Sequence, residues 1–244
     1  SNANFDLFLR FLYYTFLYVG LFTILGILIL KILNKDIYRL LPPLILPNTG
    51  NMGIPICLFA YGELGLAIAA AITSVIVVFH FSLNIFLASK KLSLNTLLNC
   101  VPIYALIVSL FFVYYKIPSP KFVVNATYLI SYSTIFLVLM SLGVALSKLK
   151  IFSFKESLIF SCVRVIIGPL VGFGFVKAFN LSGVEAGVMF IQASMPSAVL
   201  TYLIAEMYSP RKIVTMIAST VVLSTFLSFI TIPLVVFFAL KYFS

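Results

Sequence analysis

Two stretches of this sequence put amides, prolines and small residues where an apolar run would otherwise be unbroken. The first reads Leu-Pro-Asn-Thr-Gly-Asn-Met-Gly-Ile-Pro-Ile-Cys from Leu46 to Cys57, and the second reads Gln-Ala-Ser-Met-Pro-Ser from Gln192 to Ser197. Proline removes a backbone donor and clashes with the preceding turn. A carbonyl freed in hydrocarbon must then find a protein, water or ligand partner. Each stretch is expected to break a helix near mid-membrane, and the half-helix ends so exposed offer N–H groups and a positive dipole end that suit a carboxylate. Kinking alone would not call for the amides that accompany both breaks. Asn51 and Gln192, each with donors and an acceptor, lead the substrate-binding candidates. Asn48 follows, with Thr49 behind it, and Pro55 and Pro196 set the breaks. Capping of the freed backbone is a second role open to the same amides. Laying Pro55 on Pro196 also aligns Asn51 with Gln192 and Tyr61 with Tyr202 without a gap.

A second group of residues bears on a pathway or on coupling. His80 and Asn84 are four apart and share a helix face. A lone histidine in a membrane can relay protons near neutral pH, although its commoner role is an interhelical hydrogen bond. Arg164 is the one charge deep in an apolar interval; such residues face the bundle interior and mark a pathway, or else pair with carbonyls freed at Gly168-Pro169 or at the crossover. All six acids, Asp6, Asp36, Glu63, Glu156, Glu185 and Glu206, fall at the ends of apolar runs. Glu206 is the nearest to a carboxylate relay, so coupling to protons, to sodium or to neither stays open. Cys57, Cys100 and Cys162 lack CxxC spacing and read as packing residues, not a disulfide framework or zinc site.

Enzyme chemistry finds little support. One histidine excludes HExxH, and neither GxSxG nor GxxxxGK[ST] occurs. Ser147-Lys148-Leu149-Lys150 spells SxxK but lies among lysines at a run end without companion motifs. No cofactor or metal is expected.

The elements that must carry these residues are membrane helices. The 244 residues are 63% hydrophobic and 9% charged, with a mean hydropathy of +1.20, whereas a soluble domain is about 25% charged. The net charge of +10 is dispersed between apolar runs, which argues against nucleic acid as a partner. A transmembrane helix needs about 20 apolar residues, and eight intervals qualify: 11–30, 40–62, 64–89, 92–115, 122–147, 157–176, 186–205 and 213–240, of which only 157–176 holds a charge, Arg164. Turn residues separate them, as at Asn34-Lys35-Asp36, Gly62-Glu63, Pro118-Ser119-Pro120, Asn180 to Gly183 and Ser209-Pro210. Loops one, three, five and seven carry ten Lys and Arg against five on the other side, which places both termini outside. Ser1-Asn2-Ala3 reads as an expression scar, and no cleaved signal peptide is expected. The two broken runs lie five spans apart and so run in opposite directions, the pattern of a secondary transporter with inverted repeats.

Leu46 to Gly62, LPNTGNMGIPICLFAYG, resembles the fourth-helix crossover of the PIN-type auxin carriers and the wider auxin efflux carrier family. Gln192 to Tyr208 resembles their ninth helix, and Leu142 to Leu146 with Arg164 and Gly168-Pro169 is similar to their seventh and eighth. The resemblance implies an all-α polytopic fold of two five-helix inverted repeats with crossed broken helices. It also implies elevator-type movement, a homodimer and export of a small organic anion, auxin-like or a dicarboxylate. The matches begin at the family's third helix, so an incomplete 5+5 repeat is expected: a three-span part over 4–89 and a five-span part over 90–244. The faces of the fourth and fifth spans should then show uncovered apolar surface. Within the class the alternative is a bile-acid:sodium-symporter-like carrier; outside it, a non-transporting receptor or partner subunit, or a passive channel. The expected location is the cell's inner or plasma membrane, with the lipid bilayer as surroundings.

The basic asymmetry is directly testable. Single cysteines at Ser93 and Ser153 on a cysteine-free background should react with an impermeant thiol reagent only from the cytoplasmic side, and labelling of either from outside sealed cells would overturn the orientation.

Overall fold

The computed structural model describes residues 5–91, 101–115, 117, 120–148, 151 and 153–243. The start of the fourth apolar run, with Ser93 and Cys100, lies outside the described residues, as do Ser1 to Ala3, Lys116, Pro118-Ser119 and Lys150.

The chain is helical almost throughout. Helices α1 (Phe5–Ile32) and α2 (Ile37–Ile45) lead to a π-turn at Thr49–Gly53, then α3 (Ile54–Phe79), a second π-turn at His80–Asn84 and α4 (Ile85–Ser89). Next come α5 (Val101–Tyr114), α6 (Lys121–Lys148), α7 (Phe154–Ala178), α8 (Gly183–Ala193), α9 (Val199–Tyr208) and α10 (Arg211–Tyr242). Asp36 starts α2 by accepting the Arg39 N–H at 3.2 Å, the usual service of an N-cap carboxylate. Among the described residues, five stretches are long and apolar enough to cross a membrane: Phe5–Ile32, Thr49–Ser89, Lys121–Ser147, Phe154–Ala178 and Arg211–Tyr242.

The stretch Thr49–Ser89 has 41 residues, about twice what a bilayer needs at 1.5 Å per residue. It does not run straight. Gly62 takes φ 63° and ψ −149°, a conformation open to glycine and strained for other residues. Past it the chain folds back, so that Gly65 lies against the Cys57 carbonyl with no room for a side chain. The Tyr61-Gly62-Glu63-Leu64-Gly65 sequence is thus a helical hairpin made by two glycines, one for its dihedral angles and one for its closeness.

Helices α1, α2, α3, α7, α8, α9 and α10 pack around one core that includes Phe11, Tyr18, Ile45, Ile72, Met189 and Val221. Lipid competes equally well for apolar side chains, so close approach and interhelical hydrogen bonds must hold such a bundle. Both are present. Ser157 and Ser161 of α7 donate to the Met216 and Thr220 carbonyls of α10, each at 3.1 Å. Gly168 and Gly172 let α7 lie on α8 at Ala193, and Gly187 of α8 receives the Tyr61 ring of α3. The ion pairs Arg10–Glu185, Lys35–Glu156 and Arg211–Glu206 sit at helix ends, where such pairs contribute little.

Helix α6 is less embedded than the other long apolar helices, although it touches the π-turn at Thr49–Gly53. Only 6% of its apolar stretch is buried, against 33 to 50% in the other four, and Phe122, Leu129 and Phe136 are exposed.

Gly187→Ala drives a methyl into the Tyr61 ring and should lower stability in detergent by about 1 to 3 kcal/mol, the cost of overpacking. Adding Tyr61→Ala should return part of it, read as the unfolding midpoint of the double variant against each single one.

Candidate functional site

Both interrupted helices are broken, and the breaks cross. The first interruption covers Leu46 to Asn48, between α2 and the π-turn; the second covers Ser194 to Ala198, between α8 and α9. Where they meet the two extended segments form one antiparallel bridge, Pro47 facing Ser197. The Asn48 N–H donates to the Pro196 carbonyl at 2.8 Å, and the Ala198 N–H donates to the Leu46 carbonyl at 3.2 Å. Each break thereby satisfies part of the backbone that the other exposes. The break in the first segment is shorter than its motif, because Pro55 already lies in the first turn of α3, where a missing N–H costs nothing. Pro55 is therefore not the counterpart of Pro196 at the crossing, and the ungapped alignment of the two motifs does not describe how they meet.

The remaining carbonyls go to side chains, Arg164 above all. It is 1% exposed, and its Nε, Nη1 and Nη2 donate to the carbonyls of Met195 at 3.0 Å, Leu44 at 3.1 Å and Ala193 at 2.8 Å. Its guanidinium also lies 4.8 Å from the centre of the Phe22 ring. One cation thus closes the C-terminal, negative ends of both α2 and α8. Tyr18 adds a bond to the Ala193 carbonyl at 3.2 Å, and Ser197 Oγ donates to the Pro43 carbonyl at 2.6 Å.

The N-terminal ends are left open. Among the described residues the N–H groups of Gly50 and Asn51, at the start of the π-turn leading into α3, have no protein acceptor, and neither do those of Val199 and Leu200 at the start of α9. Gly50, Asn51 and Leu200 line a cavity of about 80 Å³, together with Asn48, Thr73 and His80. Asn48 and Thr73 are buried, and Asn48 Nδ2 and Thr73 Oγ1 lack any partner. Among the described residues no Asp, Glu, Lys or Arg lines this cavity. Two helix starts, which carry the positive ends of their dipoles, and unpaired donors thus border one small space.

The sequence candidates divide accordingly. Asn48, Asn51 and His80 come together at the cavity, and Asn84 Nδ2 lies 3.4 Å from His80 Nδ1. Gln192 is buried beside the Gly53 backbone, with both amide atoms unpartnered, and does not line the cavity. Pro55 is buried in α3 outside the lining, and Pro196 contributes its carbonyl to the bridge. Arg164 serves the opposite helix ends, and Glu206 is exposed at the end of α9, 3.8 Å from Arg211. Thr73 went unnoticed in the sequence because a lone threonine in an apolar helix is commonplace. Tyr18 gave no signal either, since its partner lies 175 positions away.

A polytopic helical protein whose two broken helices cross at a polar cavity has the architecture of a membrane carrier. Residues 86–237 match the family described as membrane transport protein, and the chain belongs to that family, which is the family of the auxin efflux carriers. It is also 28% identical over 229 residues to a protein of Methanocaldococcus jannaschii described as an uncharacterized transporter; the match covers 89% of this chain and 74% of the relative. Family and relative are transporters, not enzymes.

Arg164→Ala strips the buried Met195 and Leu44 carbonyls of their donor and leaves Ala193 with Tyr18 alone, and at about 1 kcal/mol or more for each bond lost the loss should reach about 3 kcal/mol. Arg164→Lys, able to serve fewer acceptors, should fall between. Denaturant titration in micelles measures both, and parent-like stability in Arg164→Ala would show that the crossing does not depend on it.

Proposed function

We propose that this protein is a secondary transporter that exports a small organic anion, carrying its carboxylate in the cavity between the starts of α3 and α9. The observation that supports this most is the sorting of helix ends at the crossing: a buried arginine occupies the negative ends, while the positive ends and the unpaired Asn48 amide face an uncharged cavity. Such a site attracts an anion without holding it through a full ion pair, which suits a carrier that must also release its cargo.

The movement proposed is of the elevator type. The tightly packed helices α1 to α4 and α7 to α10 carry the site, and α5 and α6, which are less embedded, form the surface against which they shift. We further infer eight crossings in an inverted arrangement: α2 with 49–61 forms one crossing, 63–89 the next, and α8 with α9 another. Both termini then lie outside, and the homodimer and the three-plus-five division of the chain belong to the same proposal.

Asn48→Ala and Asn51→Ala should each weaken anion binding by about 1 to 3 kcal/mol, the cost of leaving a buried partner unpaired, while Glu206→Gln should bind as the parent. Counterflow and equilibrium binding of labelled succinate and indole-3-acetate in proteoliposomes measure this. Parent-like binding in both alanine variants would remove the site from the cavity, and rapid flux without counterflow would favour a channel.

A further inference from the structure

Two π-turns border the same cavity. One, Thr49–Gly53, supplies Gly50 and Asn51; the other, His80–Asn84, supplies His80. Such turns hold well under 1% of residues in proteins and often mark functional sites, so their meeting at one small space ties the second turn to the first. Within the second turn His80 and Asn84 are both buried, at 3% and 1% exposure. The nitrogen of the Asn84 amide lies 3.4 Å from His80 Nδ1. An amide nitrogen only donates. With that nitrogen as donor, Nδ1 accepts and the ring proton falls on Nε2, the ring nitrogen left for another partner. The cavity that His80 lines is otherwise provided with donors: the Asn48 amide, the Thr73 hydroxyl and the free N–H groups of Gly50 and Asn51. A ring N–H fits that set, and an acceptor nitrogen would repel an anion.

We propose that His80 is a direct contact of the transported anion, its Nε2–H donating to a carboxylate oxygen in the cavity, and that Asn84 is the positioning residue that fixes this tautomer. This rests on the reading of the cavity as the anion site. It also defines the ligand more closely: the head group binds as a planar carboxylate among neutral donors, so the corresponding amide, which brings its own donors, is refused.

The chain contains a single histidine, so ¹⁵N-histidine labelling of this 244-residue chain in lipid nanodiscs, purified with a histidine-free tag, reports on His80 alone. The probe is potassium acetate, with acetamide as the neutral isostere, and binding of labelled acetate is measured in parallel. The parent should show the Nε2–H tautomer, and acetate but not acetamide should shift the Nε2 signal. His80→Gln, whose amide nitrogen can stand in for Nε2, should bind acetate nearly as the parent does. His80→Ala should bind about tenfold more weakly or worse, the loss expected of one hydrogen bond to a charged group. Asn84→Ala should mix the two tautomers and weaken binding, which a merely structural role for Asn84 would not do to the ring. An Nδ1–H tautomer in the parent overturns the proposal. So does an unmoved Nε2 signal, or parent-like affinity in His80→Ala, while Asn48→Ala abolishes acetate binding; the cavity reading then survives. If acetate fails to bind the parent, or binds Asn48→Ala equally well, the cavity reading itself falls and this proposal with it.

Discussion

Everything near the middle of this protein follows from the need to satisfy backbone groups where no water competes. Breaking a helix in hydrocarbon frees carbonyls at one end and N–H groups at the other. Here two helices are broken at the same place, and the extended segments share two hydrogen bonds across the Pro47–Ser197 bridge. Neither break has the same partner without the other. The crossing therefore couples α2 and α3 to α8 and α9, and the glycines at 53, 168, 172 and 187 are the places where that coupling demands close approach.

Arg164 decides which ends of the half-helices stay available. A buried guanidinium is expensive unless its donors are used. Here three carbonyls from both breaks use them, and the Phe22 face lies 4.8 Å away. The negative ends are thereby neutralised. The positive ends remain, so the local field in the cavity is that of helix starts and neutral donors, with no Lys or Arg among its described walls. Electrostatics of this kind come from backbone orientation, not from the composition of the site.

The contrast between the packed helices and α6 has a physical consequence for movement. In the movement proposed, helices tied by hydroxyl-to-carbonyl bonds, as α7 is to α10, shift together, because separating them breaks interhelical bonds. Helix α6 exposes Phe, Leu and Ile side chains over most of its length, and such a surface exchanges lipid for protein at little cost. Relative displacement of the bundle along such a surface breaks few hydrogen bonds.

Much was legible in the sequence, because the membrane imposes its rules locally. Apolar length without charge marked the helices, and proline, glycine and amide residues in such runs marked breaks over 46–57 and 192–197, which the structure narrows to 46–48 and shifts to 194–198. Asn48, Asn51 and His80 could be singled out because a polar side chain in hydrocarbon needs a reason. Their assembly with the start of α9 could not be read, since Ala198 and Leu200 lie far from them in the chain. The sequence offered Gln192 on the same terms as Asn51, and in the structure it lies with both amide atoms unpartnered against Gly53, in the π-turn that gives Gly50 and Asn51 to the lining. Pro55 and Pro196 looked equivalent, but the bridge pairs Pro47 with Ser197 instead. Arg164 could be a pathway residue or a clamp by sequence, and only its three carbonyl partners, contributed by two distant breaks, distinguish the two. Residue type and spacing determined that helices would break and where. Which broken ends would meet, and which would stay open, was decided by packing, because a hydrogen bond across a crossing has no counterpart in the order of residues along the chain.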